Sequence, residues 1–126
     1  MNYLQRLSLL LLLLMTGCGH ASPDIKGVDF TMWRQDQQGC LGTRSAAIDT
    51  LAAQKKLLLG LNEMEIVDIL GKPDQQELYK RNQKFYRYML FPGKQCRPAS
   101  MPFSQDSLKL VVRFNAVGLA KEITFE

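Results

Sequence analysis

Gly60-Leu61-Asn62-Glu63-Met64-Glu65-Ile66-Val67-Asp68-Ile69-Leu70-Gly71-Lys72-Pro73 is the stretch from which the rest of the chain can be ordered. Asn62 is placed to cap a helix, because its side-chain oxygen accepts from an amide of the first turn. Glu65, three residues on, reaches back to the amide of Asn62. Leu61 before the cap meets Ile66 after it as a hydrophobic staple. Ile66, Ile69 and Leu70 then form the inner face of a short helix. Gly71 and Pro73 stop it, since glycine accepts the turn and proline cannot continue the helix.

Upstream, residues 43–59 are rich in Ala, Leu, Lys and Gln, with Ile48, Leu51 and Ala52 at helical spacing and neither Gly nor Pro before Gly60. They predict one amphipathic helix. Downstream the period changes to two. Residues 76–80 and the aromatic 84–91 are candidate strands, and 107–114 alternates Leu108, Leu110, Val112 and Phe114 with Lys109, Val111 and Arg113. Asn115-Ala116-Val117-Gly118 is a turn into a last strand over 119–126. Helices followed by strands predict an α+β fold, two helices packed on a small antiparallel sheet of three to four strands.

At the amino terminus, Arg6 precedes an apolar run from Leu9 to Leu14. The run is too short to span a bilayer, which takes roughly 20 apolar residues, and it suits a signal peptide. Met15-Thr16-Gly17-Cys18 resembles the bacterial lipobox, with Met15 where Leu is usual. That resemblance implies diacylglycerol on the Cys18 sulfur, cleavage before it, and retention by fatty-acyl chains of the palmitate kind, each buried methylene contributing roughly 0.8 kcal/mol. In many Gram-negative bacteria an Asp after that cysteine holds a lipoprotein at the inner membrane. Gly19 and His20 follow here, which favours the outer membrane, facing the periplasm.

The expected organisation is a signal peptide over 1–17, a lipidated and flexible tether over 18–29, and one domain over 30–126. Phe30, Met32 and Trp33 are its first apolar anchors, with Trp33 expected to pack the end of the tether onto the domain. The formal charge of +4 includes Arg6 and is too mild to demand nucleic acid, which export also removes as a partner. Of three cysteines, Cys40 and Cys96 remain once Cys18 carries lipid, and a disulfide is the simplest expectation in an oxidising compartment. It would tie the Pro92, Pro98 and Pro102 loop to the start of the first helix. Two cysteines and a single histidine, His20, offer no zinc cage, so neither metal nor cofactor is expected.

From Leu58 to Phe125 the ordered motifs resemble the BamE (SmpA/OmlA) lipoprotein family. Gly60, the capped helix, and Leu70, Gly71 and Pro73 match its glycine, helix and Leu-Gly-x-Pro pattern. Phe85-Tyr86-Arg87-Tyr88 resembles its aromatic strand, and Leu108 to Phe114 with Asn115, Gly118 and Ile123 its closing hairpin. The Cys40/Cys96 pair, the long first helix and the proline-rich loop depart from the pattern and suggest a divergent member. The resemblance implies a helix-pair-on-sheet domain acting through protein contacts in outer-membrane β-barrel assembly or envelope maintenance.

No catalytic triad can be assembled without a usable histidine or an activated cysteine. Asp68, Asp74 and Glu77 are expected in solvated roles, so an enzyme is not expected. Lys80, Arg81, Lys84 and Arg87 are the candidate contacts to lipid headgroups or an acidic partner, with Tyr86 or Tyr88 as interface anchor. The alternative is a ligand-binding or enzyme-inhibiting module in the periplasm. A pocket between helices and sheet would favour that alternative, and a solid core with an exposed aromatic surface would favour docking.

Overall fold

A computed structural model describes residues 2–3, 21–96 and 108–126. The leader, the lipobox with Cys18, and Pro98 and Pro102 lie outside the described residues. Within residues 21–96 and 108–126 the α-helices are α1 (Phe30–Gln35), α2 (Thr43–Ala46), α3 (Ile48–Gln54) and α4 (Glu63–Leu70). The strands β1 (Gln75–Tyr79), β2 (Gln83–Met89), β3 (Lys109–Phe114) and β4 (Ala120–Phe125) form one antiparallel sheet in sequence order. The fold is α+β.

The start signal at Asn62 forms as its residues dictate. Glu65 N donates to Asn62 Oδ1 at 2.9 Å, and Asn62 N donates to Glu65 Oε2 at 2.8 Å. Ile66 and Leu70 are fully buried, with Leu61 packed against the same cluster. Just before the cap, Gly60 N donates to Ala120 O, and Ala120 N donates to Leu61 O, both at 2.8 Å. Gly60 therefore leads the chain along the edge of β4. Gly71 ends α4 at φ 82°, where a Cβ would stand 3.0 Å from the Arg34 side chain. Pro73 is buried beyond it.

The helix expected over 43–59 is broken. It divides into α2, α3 and a 3-10 turn at Lys55–Leu58, with the Ala47 amide bonded to the carbonyl of Arg44, only three residues back. No Gly or Pro marks the break. It accompanies the burial of Arg44, whose side chain turns into the core instead of lying along a polar helix face.

Three strands share an inner face. Cross-strand pairing aligns Tyr86 with Val112 and Ile123, and Tyr88 with Leu110 and Phe125. These residues meet Trp33, Leu51, Leu58, Ile66 and Leu70 from the helices. The other face carries Phe85, Arg87, Arg113 and Glu122. Val111, paired with Arg87 and Thr124 on that face, is buried too, although the alternation placed it on the wetter side.

A buried polar joint fixes the helices to the sheet. The Arg44 guanidinium pairs with Asp74 Oδ2 at 2.6 Å and donates to the carbonyls of Trp33 (3.1 Å) and Met89 (3.2 Å). It lies 5.4 Å from the centre of the Trp33 ring and 5.7 Å from that of Tyr88. Asp74 also accepts from the amides of Gln38 and Met89. Asp36 accepts from those of Leu41 and Arg44, and so caps α2 from a distance. Asp74 is thus not a solvated part of the stop signal. Three donor contacts close its carboxylate, from Arg44, Gln38 and Met89, a pattern that sequence neighbours do not reveal.

Gly39 lies under the same joint, where a Cβ would fall 2.7 Å from the carbonyl oxygen of Met89. Only glycine allows the two backbones to approach so closely. Nearby, Cys40 and Cys96 stand at disulfide distance with Cα atoms 5.5 Å apart, tying the segment after Phe91 to the turn before α2.

The reading of 18–29 as a flexible tether is corrected in its second half. Ile25 is buried in the core, and Gln54 grips the backbone of Lys26 with both arms, accepting from its amide at 2.9 Å and donating to its carbonyl at 2.7 Å. Gly, Pro and polar residues around one Ile read as a linker, but a single distant Gln satisfies the backbone and Ile25 supplies apolar area. The domain therefore starts ahead of Phe30.

Candidate functional site

The β1–β2 hairpin stands out from this core. Its base is fixed by Asp74, whose amide donates to Arg87 O at 3.0 Å while its carboxylate takes the Met89 amide. Tyr88 adds a hydroxyl bond of 2.8 Å to Gly71 O. Beyond that base all five residues of β1 are exposed. Leu78 is 71% exposed and Tyr79 49%. β1 is also the sheet's edge, with one row of backbone donors and acceptors facing outward.

The tip is Lys80-Arg81-Asn82, with Arg81 and Asn82 both at φ 58°. Two consecutive left-handed residues match the twist of the flanking strands and turn the chain tightly. Both basic side chains at the tip are exposed, and no carboxylate among the described residues pairs with either.

The other expected contact residues are engaged. Lys84 Nζ meets Glu63 Oε1 at 2.7 Å, and this bond and charge raise the Lys84 pKa above its ordinary value. Arg87 pairs with Glu77 at 2.8 Å and lies over the Phe85 ring. Tyr86 and Tyr88 are not interface anchors, because both point into the core. Burial raises the Tyr86 pKa, with the negative charge of Glu63 adding to it, and raises that of Tyr88 far above the normal phenol range. Within the β1–β2 hairpin the exposed aromatic is Tyr79, set edge-on to Phe85 at 5.5 Å. Tyr79 falls one residue before the basic run, and strand alternation from Phe85 is the signal that would have singled it out.

Asp68 and Glu77 are exposed and on different elements, while Asp36 and Asp74 have their oxygens occupied by backbone amides and Arg44. Among the described residues no three His, Cys, Asp or Glu side chains converge. Among them, too, no helix is long and apolar enough to cross a membrane. Large side chains meet between helices and sheet, and one hollow lies at the rim, along Leu59, Gly60 and Leu119–Lys121. Compared with known proteins, the chain matches no family model, no curated protein and no solved structure.

Proposed function

We propose that this chain is a non-catalytic envelope lipoprotein resembling the BamE family. Acyl chains on Cys18 hold it at the outer membrane, and it serves β-barrel assembly or envelope maintenance by docking on another envelope protein. The observation that carries the docking reading is the bare β1 edge, five exposed residues ending in Leu78 and Tyr79. An extended segment of a partner can add to such an edge through main-chain hydrogen bonds, with alternate side chains giving specificity. Lys80 and Arg81 add charge that speeds encounter with an acidic partner. The large side chains packed between helices and sheet favour this role over holding a small ligand there.

Photo-crosslinking in intact cells tests it. A crosslinker at Leu78 is expected to capture a discrete envelope protein, and Lys80→Glu with Arg81→Glu is expected to reduce the yield. The same crosslinker at Glu122 on the opposite edge strand is expected to capture little. Equal, diffuse labelling from both positions would remove the docking role from β1.

A further inference from the structure

The strapped amino-terminal segment determines how an anchored domain would sit. Ala21, Ser22 and Pro23 lie along the flank of α4, enclosing a crevice of roughly 30 Å³ with Leu61, Glu65 and Asp68. Four residues later the chain is locked by Ile25, by the Gln54 grip on Lys26, and by Gly27 against Thr50. Covalent geometry limits the three steps from Cys18 to Ala21 to about 11 Å, whatever path they take.

That flank points away from the sheet. Glu63 of α4 reaches Lys84 and Tyr86 on the sheet, and Glu65 lies roughly 200° further round the helix. A helix is about 10 Å thick and packs about 10 Å from a sheet, so the far face with Arg113 and Glu122 lies about 20 Å beyond the flank.

We propose that the domain is seated directly against the bilayer through the outer flank of α4, with the far face of the sheet turned away. This rests on the reading of Cys18 as the lipid-bearing residue. The occupant of the flank is the bilayer holding those acyl chains, because the chain from that sulfur is too short to carry the domain clear of it. The flank mixes Glu65 and Asp68 with exposed Met64 and Lys72. Its seating therefore depends on the strap rather than on headgroup charge, and is insensitive to salt.

The test uses the mature lipoprotein purified from membranes and reconstituted in phosphatidylethanolamine/phosphatidylglycerol vesicles with headgroup-borne nitroxides. With Cys18 acylated and Cys40 joined to Cys96, Asp68→Cys or Glu122→Cys gives one thiol for a fluorophore. The label at 68 is expected to be quenched several-fold more than that at 122, in low and in high salt. Inserting about eight Gly/Ser residues between Gly19 and His20 adds about 16 Å of reach and is expected to equalise the two without touching the fold. Protein that floats with vesicles but shows equal quenching without the insertion would overturn the seating alone. Protein that does not float would overturn the anchoring reading and the seating with it.

Discussion

Arg44 carries its charge into the core because its surroundings answer it. One carboxylate, two carbonyls and two aromatic faces surround the guanidinium. Such a pair is weak evidence of net stability, but removing one member leaves the other buried and uncompensated, at a cost of about 3–5 kcal/mol. Arg44→Met is therefore expected to lower the unfolding free energy measured in urea by that amount, and adding Asp74→Asn is expected to recover part of it. A shift below about 1 kcal/mol would contradict the joint. Neither residue is legible in the sequence as half of a pair. They are 30 positions apart, and the one hint is that Arg44 precedes Leu51 and Leu58 by whole heptads, in the inner-face register. Tyr86 and Tyr88 were legible as strand residues, but which face they took was decided by the pairing with Val112 and Leu110.

The same tyrosines predict a pH response. Tyr86, Tyr88 and Lys84 all hold their protons more tightly in the fold than at their ordinary values of 10.0 and 10.5. Above pH 10 the unfolded chain releases protons that the native state keeps, so stability is complete below that range and falls as pH rises through it. Tyrosinate absorbance from Tyr86 and Tyr88 is expected to appear together with loss of circular dichroism. Its appearance in a chain that keeps its full dichroism would contradict their burial.

At the scale of elements, α4 was legible because its signals are local: a cap, a return carboxylate, a staple and a stop within a dozen residues. Asn62→Ala is expected to cost about 1 kcal/mol, and Glu65→Ala less, since it leaves the cap oxygen in place. Urea unfolding checks both, and an unchanged midpoint for Asn62→Ala would mean that the box adds nothing. The four strands were legible to within two residues at each end, β3 and β4 through alternation and β2 through its aromatic residues. The first helix was not legible as broken, because Ala, Leu, Lys and Gln favour a continuous helix and the departure comes from a tertiary demand at Arg44. The Ile25–Lys26 strap was hidden for a similar reason, its partner Gln54 lying 28 residues away.

For the whole molecule, one covalent tie and one attachment matter most. The Cys40–Cys96 bond closes a loop of 56 steps, worth about 4 kcal/mol in the chain-entropy treatment. Reduction, or Cys96→Ser, is expected to bring a large drop in the thermal midpoint, and an unaltered midpoint under full reduction would contradict a stapling role. The bond also bears on Asp74, because Gln38, two residues before Cys40, donates its amide to that carboxylate. Loosening the staple thus loosens the base of the hairpin that carries the bare β1 edge.

Placement at a membrane depends on Cys18. Mass spectrometry of the protein taken from its own cell envelope is the direct measurement. The predicted result is a chain beginning at Cys18 with a diacylglyceryl thioether on its sulfur and an acylated amino group. A free thiol at Cys18, or a chain that still carries Met1 to Gly17, would contradict the account.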